Sequence, residues 1–213
     1  SEFADSYDVV IVGAGGAGMA AAIQAKDAGA NPVILEKMPI AGGNTLKSSA
    51  GMNASETKFQ EAEGIEDSND LFYEETLAGG KGTNDKELLR YFVDHSAEAI
   101  DWLDSMGITL DNLTVTGGMS EKRTYRPTDG SAGGEYLVDG LRRNIHENEI
   151  PIFVNADVKE TNEADGQVNG VNVNVEGSEK TIDAKAAVAT TGGLGAKMDM
   201  DGENEPGRKE HVT

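Results

Sequence analysis

The stretch from Tyr7 to Glu36 constrains this chain more than any other part of it. It opens with the β-branched run Val9-Val10-Ile11-Val12, as a strand buried on both faces should. Gly13, Gly15 and Gly18 follow at G-x-G-x-x-G spacing, with Gly16 and Ala17 inside the motif. The first glycine permits a tight turn, the second lets the backbone approach a pyrophosphate, and the third lets a helix sit close to the sheet. The alanine-rich run predicts a helix from about Ala17 to Ala28. Its free N–H groups and positive dipole end point at that phosphate, and Gly29 ends it in a left-handed conformation. A second strand, Pro32–Leu35, leads to Glu36, about 20 residues past the fingerprint, where an acid accepts hydrogen bonds from an adenosine ribose. The alternative for Glu36 is a solvated strand tip. Strand, glycine turn, helix, strand and acid in that order indicate a dinucleotide site rather than a ligand-free glycine connection.

Composition narrows the function. The 213 residues allow one large domain, or one domain with an appendage, and are enough to bury a core. With 38 acidic against 18 basic residues the formal charge is −20, which opposes nucleic-acid binding and anionic membrane surfaces. An anionic cofactor must therefore be held locally, by backbone N–H groups. Cysteine is absent, which excludes disulfides, thiolate metal sites and cysteine nucleophiles. No glycine-free apolar run reaches about 18 residues, so no transmembrane helix is expected, and this stretch shows no signal-peptide pattern, as a mature or trimmed chain would also not. Ser1-Glu2-Phe3 has the look of a cloning remnant.

After Glu36 comes the loop Lys37-Met38-Pro39-Ile40-Ala41-Gly42-Gly43-Asn44-Thr45. The small, polar stretch Ser48-Ser49-Ala50-Gly51-Met52-Asn53-Ala54-Ser55 follows and suits close approach by a flat ligand. Glu36–Pro39, Gly42–Thr45 and Gly51–Ala54 together resemble the fumarate reductase and succinate dehydrogenase flavoprotein family. The soluble flavocytochrome c type and its urocanate-reductase-like relatives match best. The resemblance implies that these segments wrap the ribityl chain, pyrophosphate and isoalloxazine of FAD. The respiratory branch of the family attaches FAD covalently through a histidine, and the resemblance puts Asn44 at that position. Asn44 cannot form the bond, so non-covalent FAD is expected. Asn44 also reads as a turn residue bonding its own backbone.

The middle of the chain predicts helices. Ser68 to Leu77 is one, ending before Gly79-Gly80. Asn84 with Glu87 forms a capping-box-like start for Leu88, Leu89, Phe92, Val93, Ala97, Ile100 and Leu103, which recur at helical spacing until Gly107. His95 reads as a surface or packed histidine, Trp102 as core, and the neighbours Glu74 and Glu75 as solvated surface. Ser120 to Glu135 has little periodicity and contains Thr124-Tyr125-Arg126-Pro127. The family places a similar Arg-Pro stretch near the flavin, commonly after a histidine, where this chain has Tyr125. Arg126 therefore reads either as support for the flavin edge or as an ion-pair partner.

Tyr136, Leu137, Leu141 and Ile145 predict another helix, and Ile150 to Val154 a strand. Val158 to Glu163, the turn Asp165-Gly166 and Val168 to Val175 read as a hairpin. Thr181 to Ala189 then returns to the parallel sheet and ends in Thr190-Thr191-Gly192-Gly193. By resemblance, Val158 clasps the adenine through its backbone, and Thr190, Thr191 and Gly192 pass the ribose or pyrophosphate; the plain alternative is a turn. Met198 to His211 has no apolar pattern. Its aspartates do not meet calcium-loop spacing, so no metal site is expected.

The expected fold is α/β: a Rossmann-like FAD-binding domain with a parallel sheet, flanking helices and a small antiparallel β-meander. The expected organisation is a remnant over residues 1–6, the FAD-binding domain over 7–196 and a polar tail over 197–213. The family's capping domain and C-terminal return segment, which carry its catalytic arginine and substrate-binding histidines, have no counterpart in this stretch. No catalytic residue is therefore assigned. Three functions compete: a non-covalent FAD-binding module without the substrate chemistry; an FAD-dependent oxidoreductase reducing fumarate, urocanate or a similar unsaturated acid; and a folded, empty scaffold. The resemblance also implies an electron-donor protein or domain in a longer parent, and the family includes extracytoplasmic members.

Overall fold

The computed structural model describes residues 2–193, so the tail expected over 197–213 lies outside the described residues. The chain divides into two compact units: residues 2–44 with 145–193, and residues 45–144. In order, the elements are β1 (Ser6–Val12), α1 (Gly16–Asp27), β2 (Pro32–Leu35), α2 (Gly43–Lys47), β3 (Met52–Asn53), α3 (Lys58–Ala62), α4 (Asn69–Gly79), α5 (Lys86–Asp94) and α6 (Ser96–Ser105). They continue with β4 (Leu110–Thr114), β5 (Thr124–Pro127), α7 (Gly133–Glu147), β6 (Ile152–Phe153), β7 (Ala156–Ala164), β8 (Gln167–Val175) and β9 (Ser178–Ala189).

The first unit is built on one six-stranded sheet in the order β6-β2-β1-β9-β8-β7. The four strands expected to be parallel are neighbours: β1 pairs with β2 and β9, and β2 with β6. The expected strand Ile150 to Val154 shortens to Ile152–Phe153. The meander is present and is continuous with the parallel sheet, because β9 runs unbroken for twelve residues and pairs with β8 along its first part and β1 along its second. Two-residue turns at Asp165-Gly166 and Glu176-Gly177 have both residues at positive φ, the twist that antiparallel strands need. Helix α1 ends in a left-handed Gly29, φ +87°, with Ala30 N–H returning to Ala25 O at 2.9 Å. One core cluster on this sheet buries Tyr7, Val10, Val33, Leu35, Val171, Val173 and Ile182. Phe3, inside the expected remnant, packs on this cluster with its ring 4.4 Å from that of Phe153.

The second unit contains a three-stranded antiparallel sheet, β3-β5-β4. Thr124–Pro127, which lacked periodicity, is its central strand, and β4 has no counterpart in the sequence expectations. Helix α5 is capped by Asp85, whose carboxylate accepts from Leu88 N–H at 2.9 Å, and not by Asn84. The long helical run breaks at His95, and Leu88 and Phe92 are exposed. His95 is exposed, with its ring stacked on Tyr91, and Trp102 is half-buried rather than core.

At the centre of this unit Arg123 is fully buried. Its Nε donates to Asp67 Oδ2 at 2.8 Å, Nη2 to Asp67 Oδ1 at 2.6 Å, and Nη1 to Glu75 Oε2. The guanidinium lies 5.1 Å from the Phe72 ring centroid. Glu75 is thus half of a part-buried ion pair, not solvated surface: α4 points it inward, while its neighbour Glu74 stays exposed. Gln60 also donates to Asp67, at 2.8 Å, and Thr57, the cap of α3, hydrogen-bonds the hydroxyl of fully buried Tyr125. Burial alone would raise the Asp67 and Glu75 carboxyls, yet their hydrogen bonds, chiefly from Arg123 and Gln60 to Asp67 and from Ser120 and Arg123 to Glu75, hold both below the usual carboxylate range.

A pH dependence follows. Carboxyls depressed in the folded state contribute stability that is complete above their ordinary values and is lost as pH falls through the folded values. Urea midpoints are expected to be flat above about pH 5 and to fall steadily below about pH 4. The Arg123→Met variant should show a shallower acid limb, and an equal slope in both proteins would contradict this assignment.

Candidate cofactor site

In the first unit, β1 delivers the chain into the glycine turn, and three glycines there answer different demands. Gly13 has φ +109°, and a Cβ on it would stand 2.6 Å from Thr190 O. A Cβ on Gly18 would stand 1.9 Å from Gly13 O, so α1 packs on the turn only without a side chain there. Gly15 is different. Its φ of −79° and ψ of −174° suit any residue, and among the described residues a Cβ would meet nothing closer than Gly42 O at 4.0 Å. No side chain caps the start of α1, and no acid stands in its first turn. Gly15 and Gly16 are half-exposed and Ala17 is exposed. The result is a partly open helix N-terminus with the polarity an anion needs.

Glu36 is 7% exposed, so the solvated-tip alternative fails. Its Oε2 accepts from Ala14 N–H at 2.7 Å and its Oε1 from Met38 N–H at 2.9 Å. The carboxylate therefore ties the glycine turn to the end of β2. The second glycine loop packs onto the first: Gly42 N–H donates to Ala14 O at 2.8 Å, and Gly15 and Gly42 form a parallel bridge. Gly43, φ +55°, would bring a Cβ to 3.3 Å from Gly15 Cα. Lys37, Gly43 and Asn44 are exposed, and Asn44 lies within α2 rather than in a turn.

Thr190 follows β9 and completes the turn from the other side. Its hydroxyl donates to Val12 O at 2.9 Å and Gly13 O at 3.2 Å, and its N–H to Val12 O at 2.9 Å. Thr191 is exposed, and exposed Gly192 has φ +79°. Val158 sits in edge strand β7 opposite Val173, next to a bulge.

The second unit holds the remaining residues of the expected site. Thr45 lies in α2, Ser49 and Ala50 form an exposed loop, and Gly51 leads into β3 with Met52 and Asn53 half-buried. This loop is pinned by two glycines that the sequence reading passed over. Gly133 N–H donates to Ala50 O at 3.0 Å and Gly134 N–H to Ser48 O at 3.1 Å. A Cβ on Gly134 would stand 2.2 Å from Thr45 O, and one on Gly51 2.3 Å from Tyr125 O. The paired glycines at the start of a helix were the available signal. Arg126 is half-buried and forms no ion pair among the described residues, so its ion-pair reading is not met. Tyr125 is engaged with Thr57, and burial pushes its phenol well above the ordinary value, against the lowering effect of the Thr57 hydrogen bond.

A βαβ unit with an open helix N-terminus, a buried acid at the second strand and a second glycine loop against the first defines a dinucleotide-binding flavoprotein. The chain belongs to the FAD binding domain family, which matches residues 8–212. It is 51% identical to the NADH:fumarate oxidoreductase of Klebsiella pneumoniae over 209 residues, 98% of this chain and 23% of that protein. It is 36% identical to a fumarate reductase (cytochrome) of Shewanella frigidimarina over 213 residues, 98% of this chain and 37% of that one. The open conformation of a flavocytochrome c3 fumarate reductase superposes with a TM-score of 0.92 at 37% identity, covering 97% of this chain and 37% of that chain. The protein is thus an FAD-binding domain of the fumarate reductase type, spanning roughly a quarter to a little over a third of the length of these relatives. No helix among the described residues is long and apolar enough to cross a membrane.

Proposed function

We propose that this chain is a non-covalent FAD-binding module in which Gly13–Gly18, Glu36 and Thr190–Gly192 serve the adenosine and pyrophosphate. On this reading Val158 serves the adenine through its backbone, and Lys37, Gly42–Thr45 and Ser49–Asn53 serve the ribityl chain and flavin. The observation that carries it is Gly15. Neither its dihedral angles nor its protein neighbours require glycine, whereas a pyrophosphate lying against the backbone does. Asn44 supports non-covalent attachment, since an amide is no nucleophile for the flavin ring.

Bound FAD supplies hydride and single-electron transfer. Reducing an unsaturated acid also needs cations on its carboxylates and a proton donor aimed at the alkene. On β5 and just before it, Arg123 is occupied by Asp67 and Glu75 and Tyr125 by Thr57, and Arg126 alone cannot both hold and protonate a dicarboxylate. This favours binding of the cofactor without the substrate step. A second reading draws on the relatives' names: the longer protein is an FAD-dependent oxidoreductase for fumarate, urocanate or a similar acid, fed by a donor protein or domain.

The test has two parts. Purified protein reconstituted with FAD and desalted should stay yellow, and acid precipitation should leave the flavin in the supernatant; flavin in the pellet would overturn non-covalent binding. With a reduced viologen dye, adding fumarate or urocanate should not accelerate oxidation. Turnover approaching about 10 per second would establish the second reading for this chain alone.

A further inference from the structure

We propose that Thr124, backed by Thr116, is a positioning residue that fixes the Asn53 side-chain amide as a hydrogen-bond donor to the isoalloxazine and so favours reduced flavin. The inference rests on the reading of Asn53 as flavin-facing. Asn53 on β3 is paired with Thr124 on β5. Thr124 is 1% exposed, and its hydroxyl donates to Asn53 Oδ1 at 2.7 Å. A threonine hydroxyl has one proton. With that proton on Asn53, Thr124 accepts from the Thr116 hydroxyl, 3.0 Å away. In this arrangement the relay runs from Thr116 through Thr124 to Asn53, with the amide oxygen turned toward the protein.

The other end is the NH2 group. Asn53 is half-buried, and among the described residues its Nδ2 makes no hydrogen bond. A half-buried amide donor without a protein acceptor is prepared for an acceptor from outside. The strand that carries it cannot easily shift. Ala54 N–H donates to Arg123 O at 3.0 Å, and a Cβ on Gly51 would stand 2.3 Å from Tyr125 O. Isoalloxazine offers carbonyl oxygens and ring nitrogens along one edge, and its pyrimidine end gains negative charge on reduction. A fixed donor there binds the reduced form more tightly than the oxidised form. Thr124 touches no flavin itself; it sets the polarity of the residue that does.

The experiment is a dye-linked redox titration of FAD-loaded wild type, Thr124→Val, Thr124→Ser and Asn53→Asp. Thr124→Val keeps the shape of the side chain and removes the proton that orients Asn53. At a fixed poise it should lower the ratio of reduced to oxidised flavin about threefold. Asn53→Asp, which replaces the donor by an anion, should lower it about tenfold, close to 30 mV for a two-electron couple. Thr124→Ser should restore the wild-type ratio, which a merely structural role for the threonine would not predict. If Thr124→Val does not fold, Thr116→Val should give a smaller shift of the same sign. Flavin retained with wild-type potential in the valine variants overturns the orientation inference alone. Wild type that holds no flavin after desalting overturns the site reading and the inference together.

Discussion

Gly15→Val should cost the chain its FAD and leave its fold intact, while Gly18→Ala should damage the fold itself. The two glycines are three residues apart in one motif, but the structure separates their reasons. At Gly15 the backbone is extended, and the nearest atom to a new Cβ is 4.0 Å away. Valine is therefore accommodated by the free protein, and thermal melting should change by no more than a few degrees. The same side chain occupies the space a pyrophosphate would use. Affinity should fall by roughly 100-fold, equivalent to about 3 kcal/mol of overpacking against the ligand. At Gly18 even a methyl group would stand 1.9 Å from Gly13 O and 2.7 Å from the Thr190 hydroxyl, so α1 must leave the turn. A loss of at least about 3 kcal/mol in stability is expected. Flavin titration beside urea unfolding measures both quantities. Gly15→Val protein that binds FAD within threefold of wild type would remove the main support for the pyrophosphate assignment.

The second large effect is expected at Arg123. Replacing it with methionine leaves Asp67 and Glu75 facing each other in an enclosed space without their counterion. Breaking a buried pair from one side costs about 3–5 kcal/mol, a large fraction of the 5–15 kcal/mol that typically holds a domain together. Phe72 loses its cation–π partner in the same step. The triple variant with Arg123→Met, Asp67→Asn and Glu75→Gln should recover most of the loss, because no buried charge is then unpaired. Urea midpoints of the single and triple variants test the argument. A single-variant cost under about 1 kcal/mol would mean that water reaches the guanidinium and that its apparent burial has little energetic weight.

The fingerprint unit was legible in the sequence because its signals are local. Val9–Val12 form a strand by β-branching, Gly13 and Gly18 mark close approaches, and Glu36 sits where the second strand must end. The hairpin at Asp165-Gly166 and the return strand through Ala186–Ala189 could be read for the same reason. What escaped depends on residues far apart in the chain. Glu75 looked solvated beside Glu74 because no local rule shows that Arg123, forty-eight positions on, lies across from it. The helical spacing of Leu88, Leu89, Phe92 and Val93 marks a helix but not its buried side; only packing decides which of two apolar faces, Leu89–Val93 or Leu88–Phe92, is covered. β4 was missed because Leu110–Thr114 has few β-branched residues and exists by pairing with β5.

The same division runs through the site. By itself the sequence determined that a βαβ unit would present a glycine turn and an acid to a dinucleotide, since turn, helix start and strand end are properties of a short segment. Only the tertiary structure decided that Glu36 is buried against Ala14 N–H, that Thr190 closes the turn, that Gly15, unlike Gly13 and Gly18, has room for a Cβ, and that Thr124 orients Asn53. Each of these is a contact between segments that become neighbours only when the sheets form. Pairing energies across a sheet depend on register and burial, which no single stretch of residues contains.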